Sequence, residues 1–415
     1  MSGSAQSLLG LCIVIALCVL FSRARRGIDP MLVGKSVLLQ VALALLLLKV
    51  PGSHHFFELL NRGITALQEG TQAGTSFVFG YLGGANLPFE ETYAGGGFIL
   101  AFQVLPLVIV VSVLSALLIY WRVLPLIMRS VSWVLERGLN TGGAVGIGVS
   151  ANAFLGMVES PLIIKPYLEK LQRNELFTVM TAGMATISGT MLAIEASVIS
   201  GVVPNAIGHL LSASLITLPG VIYISHLLEP GDGKITDGRV EVDRGGYSVI
   251  DVISSSTQVG LQLFLNIVAM LLVVVSLVHI LNALLGLAPN FFGEPISIQR
   301  LLGLIMAPIT WLLGVPWAES LQAGQLMGVK MVLTEFLAYI RLGELPPEAL
   351  SDRSRVIMTY ALCGFANFTS LGIMVTGLVV IMPNRRDEVI NLGAKSIVAG
   401  TLATCTTACI AGALL

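Results

Sequence analysis

Residues 156–171 read GMVESPLIIKPYLEKL: an apolar lead-in, then Glu159, Ser160 and Pro161, then a short apolar run closed by Lys165 and Pro166. An ionisable group, a helix breaker and small residues stand together inside a greasy stretch. The surrounding chain has 55% hydrophobic and 11% charged side chains over 415 residues, with a mean hydropathy of +0.87. A water-soluble domain needs far more polar surface; membrane-embedded chains have this composition. The formal net charge of −1 offers nothing to a nucleic acid. Cys12, Cys18, Cys363, Cys405 and Cys409 all lie in apolar runs without metal-ligand spacing, as small packing residues do.

A membrane-crossing helix takes about 20 mostly apolar residues. The spans expected on that basis are 7–22, 32–50, 98–120, 175–200, 205–228, 257–286, 354–382 and 389–414. The first is no secretory signal, because MSGSAQS precedes it without a basic residue and RARRG follows. Arg23, Arg25 and Arg26 then mark the cytoplasmic side, which places both termini outside after eight crossings. Residues 52–70, and the region of Trp121, Arg122, Arg129 and Trp133, suit helices lying at the membrane surface. His54 and His55 have no third metal ligand nearby in sequence. The charged Gly-rich segment 229–247 reads as a solvated connector.

Residues 142–171 and 301–340 are apolar but broken. In each, two arms of half a membrane's length flank Gly, Pro, Glu and Ser: MVESP in the first and VPWAES in the second. Unpaired backbone groups in hydrocarbon cost several kcal/mol each, so a break at membrane depth must face protein or water. Both segments are read as re-entrant hairpins, with Glu159-Ser160 and Glu319-Ser320 at corresponding tips. The following spans echo one another as GMATIS (183–188) and GFANFT (364–369), which pairs Thr186 with Asn367 and Ser188 with Thr369. Hairpin, interrupted span and further span thus occur twice, as in an inverted repeat with a midplane site between discontinuous helices.

The expected fold is therefore an all-α integral membrane protein with about eight transmembrane helices, two opposed re-entrant hairpins and an inverted repeat. Residues 1–140 form N-terminal scaffold helices, 141–228 the first repeat, 229–299 a charged loop and long scaffold helix, and 300–415 the second repeat.

Ionisable groups inside a membrane mark a ligand or ion path by default. Here they are Glu159, Glu195, Glu319 and Glu335, with Asn152, Thr186, Ser188, Asn367, Thr369 and Ser370 as polar companions. The set is rich in oxygen acceptors and lacks the Arg cluster that a phosphate or carboxylate calls for. It suits a neutral hydroxylated or cationic cargo, with room for a small hard cation. Several of these residues also have structural readings. Glu195, about 13 Å along a helix from Thr186, falls near the interface. Lys165 and Lys330 sit at aqueous ends, Glu335 can pair with Lys330, and Glu319 can cap a helix.

The stretches SANAFLGMVESPLIIKPYL, GVPWAESLQAGQLMGVKMVLTEFLAY and ALCGFANFTSLGI resemble the concentrative nucleoside transporter family, as do GTSFVFGYL, GGGFILAFQVLPL and GAKSIVAGTL. The likeness runs over nearly the whole chain. It implies a homotrimer in a bacterial inner membrane and cation-driven nucleoside uptake by an elevator-like motion. It further implies ribose contacts at Glu335, Asn367 and Ser370 beside Phe365, and base contacts at Gly156, Met157, Val158, Glu159 and Met191. Sodium would be held by Asn152, Leu155, Thr186 and Ile187, although some relatives use a proton. The family usually has Gly-Gln-Thr-Glu or Gly-Gln-Ser-Glu where this chain has Gly156-Met157-Val158-Glu159, which implies altered base selectivity. Glu195 is a further departure, standing where the family commonly has an uncharged residue, and is open to a part in proton coupling.

A membrane-embedded enzyme would need a nucleophile–base pair or an acidic metal cluster. His209, His226 and His279 are scattered instead. A channel has no need of two hairpins with distinct polar tips.

Overall fold

The computed structural model describes residues 3–50, 52–90, 97–231, 235–238, 248–287 and 296–415; the side chains of 52–61, 64 and 274 lie outside that set, His54 and His55 among them. No strand occurs among the described residues.

Helix α1 (Gly3–Leu20) is the first expected span. Helix α2 (Pro30–Lys49) starts where Asp29 accepts the Met31 N–H at 2.9 Å and Pro30 occupies the first turn, where its missing N–H is not needed. Helix α3 (Gly52–Phe79) carries the segment read as interfacial and runs beyond it. Helices α4 (Leu100–Gln103) and α5 (Leu107–Tyr120) make the third span, interrupted before Pro106. Helix α6 (Val123–Leu139) is amphipathic, with Met128 and Leu135 buried and Trp133 exposed.

The first repeat continues through α7 (Gly143–Asn152), a break at 153–158, then α8 (Glu159–Ile163) and α9 (Lys165–Leu168). Ser160 Oγ donates to the Gly148 carbonyl at 2.8 Å and ties the second arm to the first. Helices α10 (Arg173–Ala185) and α11 (Gly189–Ile199) form an interrupted span, and α12 (Ala206–Leu228) follows. Helix α13 (Val249–Leu285) is long, apolar and largely exposed. It packs on α5, where a Cβ at Gly260 would lie 2.8 Å from Ile109 Cα, so glycine alone permits that approach.

The second repeat has α14 (Ile298–Leu313), α15 (Trp317–Val332), α16 (Glu335–Glu344), the interrupted span α17 (Asp352–Leu362) with α18 (Phe368–Ile381), and α19 (Arg386–Leu414). Among the described residues seven helices or joined helices are long and apolar enough to cross a membrane, and counting α17–α18 as one further broken crossing gives the eight expected spans. Helices α1 and α2 pack on α19 and α12, and α10 packs on α19.

Two expectations about the repeat need correction. The VPWAES break is real: α14 and α15 meet there at 118°, with Gly314 at φ 110 ending the first helix. Yet it corresponds to the α6–α7 junction. The counterpart of the break at 153–158 is Leu333-Thr334, where Thr334 accepts the Leu337 N–H and starts α16. Glu335, not Glu319, therefore matches Glu159, each being the first residue of its hairpin's second arm. Glu319 instead accepts the N–H and hydroxyl of Ser351 at 3.1 Å ahead of α17.

The register of the interrupted spans also shifts by two residues. Ser188 caps α11 by accepting from Met191 N–H, and Asn367 caps α18 by accepting from Ser370 N–H. Ser188 thus corresponds to Asn367, and Met191 to Ser370. The GMATIS and GFANFT echo aligned side-chain types, whereas the helix caps set the structural register.

Candidate functional site between the hairpins

Both interrupted spans part where backbone leaves helical geometry. Thr186 is extended at φ −119 and ψ 167 after α10, and Gly364 lies at φ 150 after α17, a conformation that favours glycine. The two breaks cross. A Cβ on Gly364 would stand 2.8 Å from the Ala185 carbonyl, and the Phe365 N–H approaches the Thr186 carbonyl at 3.4 Å.

Beside this crossing stands Glu335, with its residue 4% exposed. Asn367 Nδ2 donates to Glu335 Oε2 at 2.7 Å, while Asn367 Oδ1 is committed to the Ser370 N–H at 2.7 Å. Each half of the amide is thus assigned by its partner. Glu335 is also the first residue of α16, where a helix start concentrates unpaired donors. The expected pairing with Lys330 is not a contact ion pair. Lys330 is fully buried, contrary to its expected place at an aqueous end, and its Nζ donates to Ala361 O at 2.8 Å and Thr404 Oγ1 at 3.3 Å. Lys165 is exposed, as expected.

Glu335, Phe365 and Ser370 form one wall of a cavity of about 860 Å³. Gly156, Met157, Val158, Glu159 and Met191 line another part, and Glu159 curls back against Gly156. Asn367 does not reach the cavity and supports Glu335 from behind. The remaining side comes from α5 and α13 through Ser112, Ser256 and Asn266, and sequence reasoning singled out none of these. Thr190 and Thr334 were missed too; Thr190 stands two residues past the Ser188 cap and Thr334 is itself the cap ahead of Glu335, which was the available signal. The volume suits a small organic ligand, and polar groups at few points on a mostly apolar lining are the usual form of such a site.

Behind the first hairpin, Asn152 is 1% exposed and its Oδ1 has no hydrogen-bond partner among the described residues. Its Nδ2 donates to Gly148 O, and Thr186 Oγ1 donates at 2.9 Å to the carbonyls of both Asn152 and Ala182. The Leu155 and Ile187 carbonyls accept no backbone hydrogen bond among the described residues. Oxygen donors left over in a buried place are what a small hard cation requires.

Glu195, expected near the interface, stands one turn before the end of α11 and is fully buried in protein, with both carboxylate oxygens unpartnered among the described residues. Within the 229–247 connector, the described residues 235–238 are partly exposed and anchored at one point. Glu175 accepts the Thr236 N–H at 2.7 Å and hydroxyl at 2.6 Å, which fastens that segment beside the first hairpin.

Paired hairpins and crossed broken helices beside a mostly apolar cavity with a few polar groups are the architecture of a secondary membrane carrier. The chain matches the description "Na+ dependent nucleoside transporter" at its N-terminus over residues 9–82 and at its C-terminus over 209–412, with "Nucleoside recognition" over 101–201. It belongs to the Na+-dependent nucleoside transporter family. It is 33% identical to nucleoside permease NupC of Helicobacter pylori over 99% of this chain and 97% of that one. It is also 33% identical to human solute carrier family 28 member 3 over 98% of this chain, although that protein is longer and only 59% covered. The solved inward-facing, substrate-bound structure of CNTnw superposes with a TM-score of 0.90 at 35% identity, covering 99% of this chain and 97% of that one. An outward-facing double variant of CNTnw gives 0.91 at the same identity and coverage. The chain is thus a multi-pass membrane protein that couples nucleoside uptake to a cation, and is not an enzyme.

Proposed function

We propose that the 860 Å³ cavity is the nucleoside site and that Glu335, steered by Asn367, is its ribose anchor. Ribose hydroxyls donate to Glu335 and meet Ser370, while Phe365 provides an aromatic wall. Gly156, Met157, Val158, Glu159 and Met191 face the base. Sodium is the coupling ion, held by Asn152 Oδ1, Thr186 Oγ1 and the carbonyls of Leu155 and Ile187. The observation that carries the reading is the buried Glu335–Asn367 pair at the cavity wall. It presents a fixed acceptor to a hydroxylated guest.

The cavity lies between the hairpins and the α5–α13 pair. This favours an elevator-like cycle in which the hairpins, the interrupted spans, α12 and α19, with α1 and α2 packed on them, slide along a scaffold built on α5 and α13. The apolar exposed face of α13 is where we place the contact between copies of a homotrimer.

Uptake into proteoliposomes with sodium replaced by choline at fixed pH tests the ion. Loss of uptake is expected, and undiminished transport would transfer the coupling to a proton. Counterflow, in which internal nucleoside accelerates entry of labelled nucleoside, tests the carrier cycle.

A further inference from the structure

Glu195 is the one carboxylate of the membrane core that neither lines the cavity nor finds a hydrogen bond among the described residues. It stands on α11 one turn beyond Met191. Lys330 on α15 and Glu335 on α16 are the charges acting on it, and its own charge is felt by Tyr339 on α16 and Cys363 after α17. On α12, His209 is engaged with Tyr360 Oη at 3.0 Å, Tyr223 with Gln40 at 3.1 Å and His226 with the Asp29 N–H at 2.9 Å. Helix α5 contributes only Tyr120, its last residue.

The local charges do not cancel when Glu195 is ionised. Lys330 balances Glu335, whose carboxylate already takes the hydrogen bond from Asn367. Glu195 remains with no donor and no contacting counter-ion. A bare buried carboxylate costs several kcal/mol, whereas the neutral acid forfeits only ordinary hydrogen bonds. One bound proton removes the excess charge.

We propose that Glu195 is a proton-binding site loaded and emptied once per transport cycle, making the proton a second coupling ion beside the one at Asn152 and Thr186. The proton comes from water on the loading side, sits on the carboxylate, and returns to water on the other side. Glu335 is the charged group common to the cavity wall and to the surroundings of Glu195. Ribose hydroxyls that fix the negative charge on Glu335 favour the neutral form of Glu195, so cargo and proton bind cooperatively. This inference rests on the nucleoside reading above.

The test uses full-length protein in proteoliposomes with sodium equal on both sides, the membrane potential clamped and an inward gradient of one pH unit. Wild type is expected to accumulate nucleoside about tenfold at steady state, the ratio one coupled proton allows, and to acidify a luminal pH dye as nucleoside enters. Glu195→Gln, with Glu195→Met as a second acid-free variant, should retain counterflow while accumulation and acidification vanish; Glu195→Asp should restore both. Acid-free variants that still accumulate nucleoside would overturn the proposal, as would a wild type that never acidifies the lumen. Absence of wild-type counterflow would instead overturn the nucleoside reading itself.

Discussion

Asn367 Nδ2 donates to Glu335 Oε2 at 2.7 Å, joining the break of one interrupted span to the first residue of a hairpin arm 32 positions earlier. Since Asn367 Oδ1 simultaneously caps α18, a single amide fixes both the helix start and the orientation of the carboxylate.

Asn367→Ala is therefore expected to weaken nucleoside binding without changing which bases compete. A hydrogen bond to a charged group is worth about 1.5–3 kcal/mol, so the concentration for half-maximal uptake should rise roughly 10- to 100-fold. Initial uptake rates against nucleoside concentration check it. An unchanged half-saturation would remove Asn367 from the ribose site.

The base side should behave differently. Restoring hydrogen-bonding side chains with Met157→Gln and Val158→Thr is expected to narrow selectivity, each change adding about 1 kcal/mol for a base whose edge it matches. Competition by purine and pyrimidine nucleosides is the measurement. Tight selectivity in the wild type would contradict the relaxed pocket.

Thr186→Val removes the hydroxyl that bridges the first hairpin to the crossing. Half-maximal activation by sodium should move to at least tenfold higher concentration, with saturating nucleoside uptake partly preserved. Sodium titration of uptake reads the shift, and an unaltered titration would take Thr186 out of the ion site.

At the end of α12, Glu229 meets Lys395 Nζ at 2.6 Å, Arg23 Nη1 at 3.1 Å and Arg173 Nε at 3.7 Å. Burial raises its proton affinity, but the hydrogen bonds from Lys395 and Arg23, with the charge of Arg173, hold the carboxyl below its ordinary value. A depressed folded value gives stability that is complete above the unfolded value, about 4.3, and is lost as pH falls through the folded one. Glu229→Gln should therefore melt below wild type at pH 7 in detergent, and the gap should shrink as pH drops below about 4. A gap that persists in acid would point to packing rather than charge.

Composition and interruption made the membrane class and the crossings legible, because lipid leaves the backbone few alternatives. The hairpin tip at Glu159 was legible for the same reason. The second tip was harder to place: the Pro, Trp, Glu and Ser of VPWAES announce a bend more loudly than Leu333-Thr334, although the latter opens the site. The burial of Lys330 and Glu195 was not legible because hydropathy reads depth along one helix, while their burial arises from the packing of α16 with α11 and α15. Ser112, Ser256 and Asn266 were invisible because the scaffold's approach is a tertiary fact.

The crossing of the two broken spans has a thermodynamic corollary. The Thr186 carbonyl and Phe365 N–H meet at this crossing; on the proposed assignment the first belongs to the cation locus and the second to the sugar locus. If filling the first stiffens this shared backbone seam, linkage demands reciprocity: the factor by which the metal sharpens affinity for the nucleoside must equal the factor by which the nucleoside sharpens affinity for the metal. Any replacement at Gly364 should then depress both factors together.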